Sequence, residues 1–355
     1  VTTRIHHGKH SVSTALLAWF SRHGRHALPW QNPATPYRVW VSEIMLQQTQ
    51  VSTVVDYFER FVARFADVPN LADAHLDEVL HLWSGLGYYV RARNLHRSAR
   101  LLCQHHDGQL PTDIDALQAL PGIGRSTAGA ILALAHGQRH PILDGNAKRV
   151  LCRLHAIDGW PGNVEVTRRL WAIAERHTPT AEVASYTQAI MDLGATVCTR
   201  RQPACEVCPL HRECRARQLG RTAAYPSPRP RRAGLPVRRT VFAIVRDSSG
   251  LVLLEKRPPT GVWGGLWSFP ECRPDTDLAA WCLTALGQTP VAIKGLPNFR
   301  HTFTHFHLEI APALLSVTAR DSTVMEAHRR LWYNVRAPAR CGLAAPVAQL
   351  LTQLP

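Results

Sequence analysis

Near the middle of the chain four cysteines, Cys198, Cys205, Cys208 and Cys214, follow a C-x6-C-x2-C-x5-C pattern within 17 residues. That spacing suits metal ligation rather than a disulfide framework. Taken alone it leaves zinc and an iron–sulfur cluster equally open, because four thiolates suit either. The remaining five of the nine cysteines (Cys103, Cys152, Cys272, Cys282 and Cys341) are scattered among apolar neighbours and read as small core residues or bystanders. A second chemical feature is Asp144, in the run Pro141-Ile142-Leu143-Asp144-Gly145-Asn146. Ahead of a helix that begins near Asn146, an aspartate commonly caps free N–H groups. Its apolar lead-in, Ile142-Leu143, implies instead a carboxylate carried into a cleft, where it can stabilise a cation formed during reaction.

A third feature is Leu120-Pro121-Gly122-Ile123-Gly124-Arg125-Ser126-Thr127-Ala128, in which one helix ends in a tight turn and another opens at once. Gly122 and Gly124 permit positive φ and close backbone approach, and the new helix presents free N–H groups to an anion. A DNA phosphate fits that site without any base being read. With the small residues Ala128-Gly129-Ala130 behind it, the run reads as a DNA-binding helix–hairpin–helix over about 114–135. The charge agrees, since 41 Lys and Arg against 26 Asp and Glu leave +15, which favours a polyanionic partner.

The elements that must position these residues fall into two regions, as a length of 355 residues suggests. The first ~215 residues are expected to be helical. Apolar residues recur every three to four positions around Ile44, Val51, Val54, Phe58 and Phe61, and the polar run Gln47 to Gln50 predicts a turn between two helices. Further helices are expected near 73–82, 90–104, 114–120, 126–135, 146–156, 166–177 and 181–195, separated by Gly and Pro. From Arg215 to Arg246 there is no acidic residue, and arginines, among them Arg231 and Arg232, alternate with prolines as in an extended linker. Beyond it Thr240–Val245 and Leu251–Leu254 read as a hairpin, and Thr302–Ile310 alternates like a strand. Residues 277–286 and 342–353 read as helices, making the C-terminal part a small α+β domain. A hydrophobic content of 45% excludes wholesale disorder. No apolar run approaches the roughly 18 residues of a membrane span, and the start, Val1 to Arg4, lacks a signal-peptide core, so an intracellular location is expected.

The combination of helix–hairpin–helix, an Asp ahead of a helix and the four-cysteine pattern resembles the endonuclease III superfamily of DNA glycosylases. Within it, Trp40-Val41-Ser42-Glu43-Ile44-Met45-Leu46-Gln47-Gln48-Thr49-Gln50-Val51 resembles the adenine DNA glycosylase (MutY) family, as do Leu28-Pro29-Trp30, Gly85-Leu86-Gly87-Tyr88-Tyr89 and Tyr186 to Gly194. The likeness covers roughly 14–353. It implies an all-α, two-lobed glycosylase domain at 1–216 with a [4Fe–4S] cluster on Cys198, Cys205, Cys208 and Cys214 in the loop 198–214. A linker at 217–239 and a C-terminal α+β Nudix-like domain at 240–355 complete the multidomain chain. The implied partner is double-stranded DNA carrying adenine opposite 8-oxoguanine or guanine, acted on by a monomer in the cytoplasm near the nucleoid.

The resemblance also assigns roles. Glu43, flanked by Val41, Ile44 and Met45, would be a carboxylic acid kept protonated by apolar burial so that it can protonate adenine N7. Asp144, ionised, would meet the oxocarbenium-like sugar, with Asn146 and Ser126 in support. Relatives that cleave the strand carry a Lys nucleophile at the position of Ser126, and without that amine no Schiff base forms, so no lyase is expected. Leu28, Trp30 and Gln188 would line the pocket for an extruded adenine, with Gln188 offering a donor and an acceptor. Gln48 and Tyr88 would wedge beside the opposite base, and Thr49 and Leu86 would contact it. Phe303, Thr304 and His305 match the family's Phe-Ser-His loop that reads 8-oxoguanine, with Thr keeping the hydroxyl and adding a methyl. A Nudix-like domain also raises nucleotide pyrophosphatase chemistry, which needs a glutamate cluster around a divalent metal. Directly after Gly261–Pro270 come Glu271, Asp275 and Asp277, without the Arg-Glu-x-x-Glu-Glu helix that chemistry requires.

Overall fold

A computed structural model describes residues 11–230, 234–318 and 329–354. The start, Val1 to Arg4, and the linker arginines Arg231 and Arg232 lie outside the described residues. Helices come first: α1 (Val12–His23), α2 (Pro36–Leu46), α3 (Val51–Arg64), α4 (Val68–Asp73), α5 (Leu76–Leu82), α6 (Val90–His105), α7 (Ile114–Ala119), α8 (Arg125–His136), α9 (Gly145–His155), α10 (Val164–His177), α11 (Val183–Asp192) and the short α12 (Arg215–Gln218). Local chemistry sets many of their starts. Ser11, Thr35, Asp113, Asp144 and Asn163 each accept a backbone N–H of the turn that follows, capping α1, α2, α7, α9 and α10. Pro36 opens α2, where its missing N–H costs nothing.

The expected turn at Gln47–Gln50 separates α2 from α3, whose Val54, Phe58 and Phe61 are buried at helical spacing. One expected helix starts later than its pattern suggests. The stretch predicted at 73–82 is α5 alone, because His75 caps it through its ring nitrogen, and α4 ends before it at Asp73. Where a single helix was expected to reach residue 195, α11 ends at Asp192 and widens into a π-helical turn, Leu193–Val197. Gly194 in that turn lies so close to Asn146 that a Cβ would stand 2.6 Å from the Asn146 Cβ.

The strands are β1 (Val237–Arg246), β2 (Val252–Lys256), β3 (Trp267–Ser268) and β4 (Glu271–Cys272). After helix α13 (Leu278–Leu286) come β5 (Ala292–Gly295), β6 (Phe299–Thr302), β7 (His307–Ser316) and β8 (Arg330–Tyr333), and helix α14 (Ala345–Leu351) follows. They form one sheet in the order β3-β2-β1-β7-β5, with β4 on β1, β6 on β7 and β8 on β2. β1 and β7 run parallel from Val237↔His307 to Arg246↔Ser316, and the other pairs are antiparallel. The predicted β1–β2 hairpin is present, its turn closed by Asp247, which accepts Leu251 N–H at 2.8 Å. The predicted strand Thr302–Ile310 is not one strand. Its alternation runs straight through a turn, with Phe303 N–H donating to Phe306 O at 2.9 Å, so Phe303–Phe306 join β6 to β7. Ala243, Val245, Leu253, Ala313 and Leu315 pack against Cys282 and Leu286 of α13.

Among the described residues, those of Val1–Ala72 and Arg97–Arg231 form one compact unit, and those of Asp73–His96 and Arg232–Pro355 a second. No helix among them is long and apolar enough to cross a membrane.

Candidate active site

The first unit holds a cavity of about 580 Å³ whose walls include Leu28, Trp30, Glu43, Ser126, Asp144 and Gln188, with Thr49 and Asn146 among the rest. Eight residues singled out in the sequence therefore share one space. Glu43 reaches it from α2, where Ser42, Ile44 and Met45 on either side are buried. Burial, and then the nearby charge of Asp144, push its carboxyl up to about 8.

Asp144 combines both of its sequence readings. It caps α9, its two oxygens accepting Ala147 N–H at 2.7 Å and Asn146 N–H at 3.1 Å, and it also lines the cavity. Burial raises its pKa, while those two N–H donors and the Arg149 guanidinium pull the other way. Of the two carboxyls, Asp144 is thus the one whose ionised form has partners. Ser126, on the first turn of α8, accepts Leu143 N–H on its hydroxyl at 2.9 Å and so ties the Asp144 loop to the hairpin. Asn146 accepts from Arg149 Nη2 at 2.8 Å. A carboxyl held protonated near neutrality thus stands beside a second, also raised by burial, whose oxygens have backbone N–H donors and a nearby guanidinium, a pairing suited to acid-assisted cleavage of a glycosidic bond.

The family described as "HhH-GPD superfamily base excision DNA repair protein" matches residues 41–176, and the "NUDIX domain" family matches 240–353. The adenine DNA glycosylase of Buchnera aphidicola subsp. Acyrthosiphon pisum (strain APS) is 38% identical, over 97% of this chain and 97% of that protein. This chain belongs to the adenine DNA glycosylase family. The adenine DNA glycosylase of Mus musculus is 35% identical, over 82% of this chain and 68% of that one. A solved non-covalent endonuclease III–DNA complex matches with a TM-score of 0.51 at 22% identity, covering 59% of this chain and 94% of that chain, a likeness of fold.

Helices α7 and α8 flank the glycine turn. Only Gly122 there has positive φ, +82. Gly124 is extended and caps α8, and a Cβ on it would meet nothing of the protein within 4 Å. Gln48 is exposed at the α2–α3 turn with φ +60, an unusual backbone for a residue with a side chain. Leu86 and Tyr88 belong to the second unit. Leu86 is buried, whereas Tyr88 is 47% exposed with φ +47, and Arg91 holds the loop through the Leu86 and Gly87 carbonyls.

None of the four clustered cysteines is in a disulfide, and all four line one small cavity with Val197, Pro203 and Ala204. Among the described residues no three His, Cys, Asp or Glu side chains converge closely enough to hold a single metal ion. Two arginines of α9 that the sequence reading passed over organise this loop. Arg153, 2% exposed, donates to the Cys198, Thr199, Arg200, Thr222 and Tyr225 carbonyls and to Cys198 Sγ at 3.3 Å. Arg149 donates to Asn146 Oδ1, to Gly194 O at 2.6 Å and to Cys198 O at 2.7 Å. Their signal was present, because Asn146, Arg149 and Arg153 stand at i, i+3 and i+7 on one helix face. In so basic a chain they resembled a solvated surface.

In the second unit Phe303, Thr304 and His305 form the β6–β7 turn. Phe303 stacks on Phe306 with centroids 4.6 Å apart, which leaves Thr304 and His305 exposed at the tip. The three acids considered for pyrophosphatase chemistry are engaged elsewhere. Glu271 pairs with Arg257 at 2.8 Å, Asp275 pairs with Arg273, and Asp277 caps α13, a helix without any acidic residue.

Proposed function

We propose that this chain is a monofunctional adenine DNA glycosylase, which removes adenine paired with 8-oxoguanine or guanine in double-stranded DNA by hydrolysing the N-glycosidic bond. The observation that carries this reading is the pairing of Glu43, pushed up to about 8, with Asp144 on one cavity. At neutral pH Glu43 holds a proton to give to N7 of an extruded adenine, which turns the base into a better leaving group. The sugar left behind is cationic, and the Asp144 carboxylate, steadied by two backbone N–H groups, faces it. Water adds to C1′ of the sugar, its proton passes to the Glu43 carboxylate left by the first transfer, and adenine departs neutral.

Other residues support the same reading. At Gly124 no packing demand within the chain accounts for the missing side chain, which suits close approach of a DNA phosphate to the N-terminus of α8. At Ser126 a hydroxyl engaged with Leu143 N–H stands where a lyase would need an amine, so cleavage of the strand is not expected. Gln48 and Tyr88, both exposed on left-handed backbone, suit wedges at the opposite base, with Thr49 and Leu86 in contact with it. The exposed tip of Thr304 and His305 suits recognition of 8-oxoguanine.

Cys198, Cys205, Cys208 and Cys214 would hold a [4Fe–4S] cluster. Four free thiols around one apolar-walled cavity fit such a group. When bound, the cluster would cross-link the basic loop that Arg149 and Arg153 already anchor to α9.

The deciding experiment incubates duplexes holding A opposite 8-oxoguanine, G or C, with and without alkali. Adenine release from the first two, with strand breaks only after alkali, is expected. Breaks without alkali would contradict the monofunctional assignment, and metal-dependent nucleotide pyrophosphatase activity would restore the alternative for the Nudix domain.

A further inference from the structure

Asp192, in the last turn of α11, is 1% exposed, yet it takes no part in the chemistry above. Its Oδ1 accepts from Gln188 Nε2 at 2.8 Å and from Arg25 Nε and Nη2 at 2.9 and 2.5 Å, and its Oδ2 accepts Arg25 N–H at 2.7 Å. The same network continues to the loop that carries Leu28. The Arg25 carbonyl accepts from Gln31 Nε2 at 2.8 Å, and Gln31 Oε1 accepts Leu28 N–H at 3.0 Å. One buried carboxylate therefore joins α11 to the loop that bears two cavity residues.

Packing alone does not fix the Gln188 amide. Gln188 and Trp30 line the main cavity, and both also line a second one of about 270 Å³ with Phe20, His26, Val39 and Leu134. With space on two sides, the amide depends on its hydrogen bonds for orientation. An ionised carboxylate only accepts, so it can hold only the NH2 end of a glutamine. Gln188 is left with one N–H and its carbonyl oxygen to offer. A 6-amino purine edge, with a donor beside an acceptor, complements that pair in one sense only. A 6-oxo purine presents the reverse order and would need the amide turned over.

We infer that Asp192 is a specificity-positioning residue, which locks the flip state of the Gln188 amide and so selects a 6-amino over a 6-oxo purine in the cavity. The inference rests on the proposed role of Gln188 in reading the extruded base. Single-turnover rates test it with full-length protein on duplexes holding adenine or hypoxanthine opposite 8-oxoguanine. Asp192→Asn places a group that can donate or accept beside Gln188, and should lower the adenine-over-hypoxanthine rate ratio at least tenfold. Gln188→Asn keeps an amide too short to reach Asp192 and leaves the Arg25 ion pair intact, so it should lower the ratio similarly even if Asp192→Asn folds poorly. Gln188→Met should lower the ratio too, and adding Asp192→Asn to it should change the ratio no further. If Gln188→Met keeps the wild-type ratio, the base-reading role of Gln188 fails. If Gln188→Met lowers the ratio but Gln188→Asn and Asp192→Asn do not, or if the double variant falls further, the positioning role of Asp192 fails instead.

Discussion

Replacing Glu43 by Gln should abolish adenine release and, at the same time, stabilise the fold. Burial and the Asp144 charge hold the Glu43 carboxyl at about 8, against 4.5 for a free glutamate. At pH 7 the folded chain therefore keeps a proton that the unfolded chain has released. Each unit of pKa difference corresponds to about 1.4 kcal/mol, so this proton uptake costs at most about 3 kcal/mol at pH 7. The cost reaches at most about 5 kcal/mol above pH 8, and partial solvent access to the carboxyl reduces both figures. Gln is neutral, has nearly the same shape and carries no such cost. The sign follows from the raised value: the protonated carboxyl is fully compatible with the fold below pH 4.5, and that stability is lost as the pH rises through 8. Urea denaturation of both proteins at pH 5, 6, 7, 8 and 9 should show nearly equal stability at pH 5 and a widening advantage for Glu43→Gln up to about pH 8. A stability difference that does not vary with pH would refute the argument. So would a variant that still releases adenine at the wild-type rate.

In the wild type, the single-turnover rate of adenine release should fall about tenfold per pH unit above pH 8, as Glu43 loses its proton; a flat profile to pH 9.5 would remove it as the acid. Gly122→Ala should destabilise the fold by about 1 kcal/mol because of its +82 φ, whereas Gly124→Ala should leave thermal stability unchanged and weaken DNA binding, measured by fluorescence anisotropy across a salt series. Arg153→Met removes the donors for five carbonyls around the cysteine loop and should cost about 3–5 kcal/mol in urea unfolding, with loss of iron by colorimetric assay. Phe303→Ala, which removes the stacking partner of Phe306, should reduce the preference for A opposite 8-oxoguanine over A opposite G several-fold while leaving release from the latter intact; an unchanged preference would exclude the turn as a reader.

Much of the helical unit could be read from the chain because its signals are local. Capping residues, glycine turns and a 3.6-residue apolar period act over a few neighbours, so α2, α3, α8 and α9 lie close to where those signals put them. The misreadings have local causes as well. The period-two pattern of Thr302–Ile310 did not reveal that the chain reverses at Phe303–Phe306, since a four-residue turn preserves the alternation on both sides. Nor did the 73–82 pattern show that the helix starts only at Leu76, where His75 caps it with its own ring. Gln188 was recognisable as a pocket residue, but not that one of its N–H groups is already held by Asp192.

What the sequence determined by itself is the inventory: two carboxyls in apolar settings, a glycine turn ahead of a helix, four thiols at ligand spacing, and an α+β tail without a pyrophosphatase helix. Only the tertiary structure decided that Glu43 and Asp144 share one cavity, and that burial there raises both carboxyls. Their burial depends on parts of the chain far apart in sequence, whereas the groups that support Asp144, on Asn146, Ala147 and Arg149, are its near neighbours. It likewise decided that Arg149 and Arg153 face inward to the cysteine loop and that Arg25 pairs with Asp192, 167 positions away. A buried charge is tolerable only where a partner meets it, and where it will meet one is settled by packing rather than by neighbours in the chain.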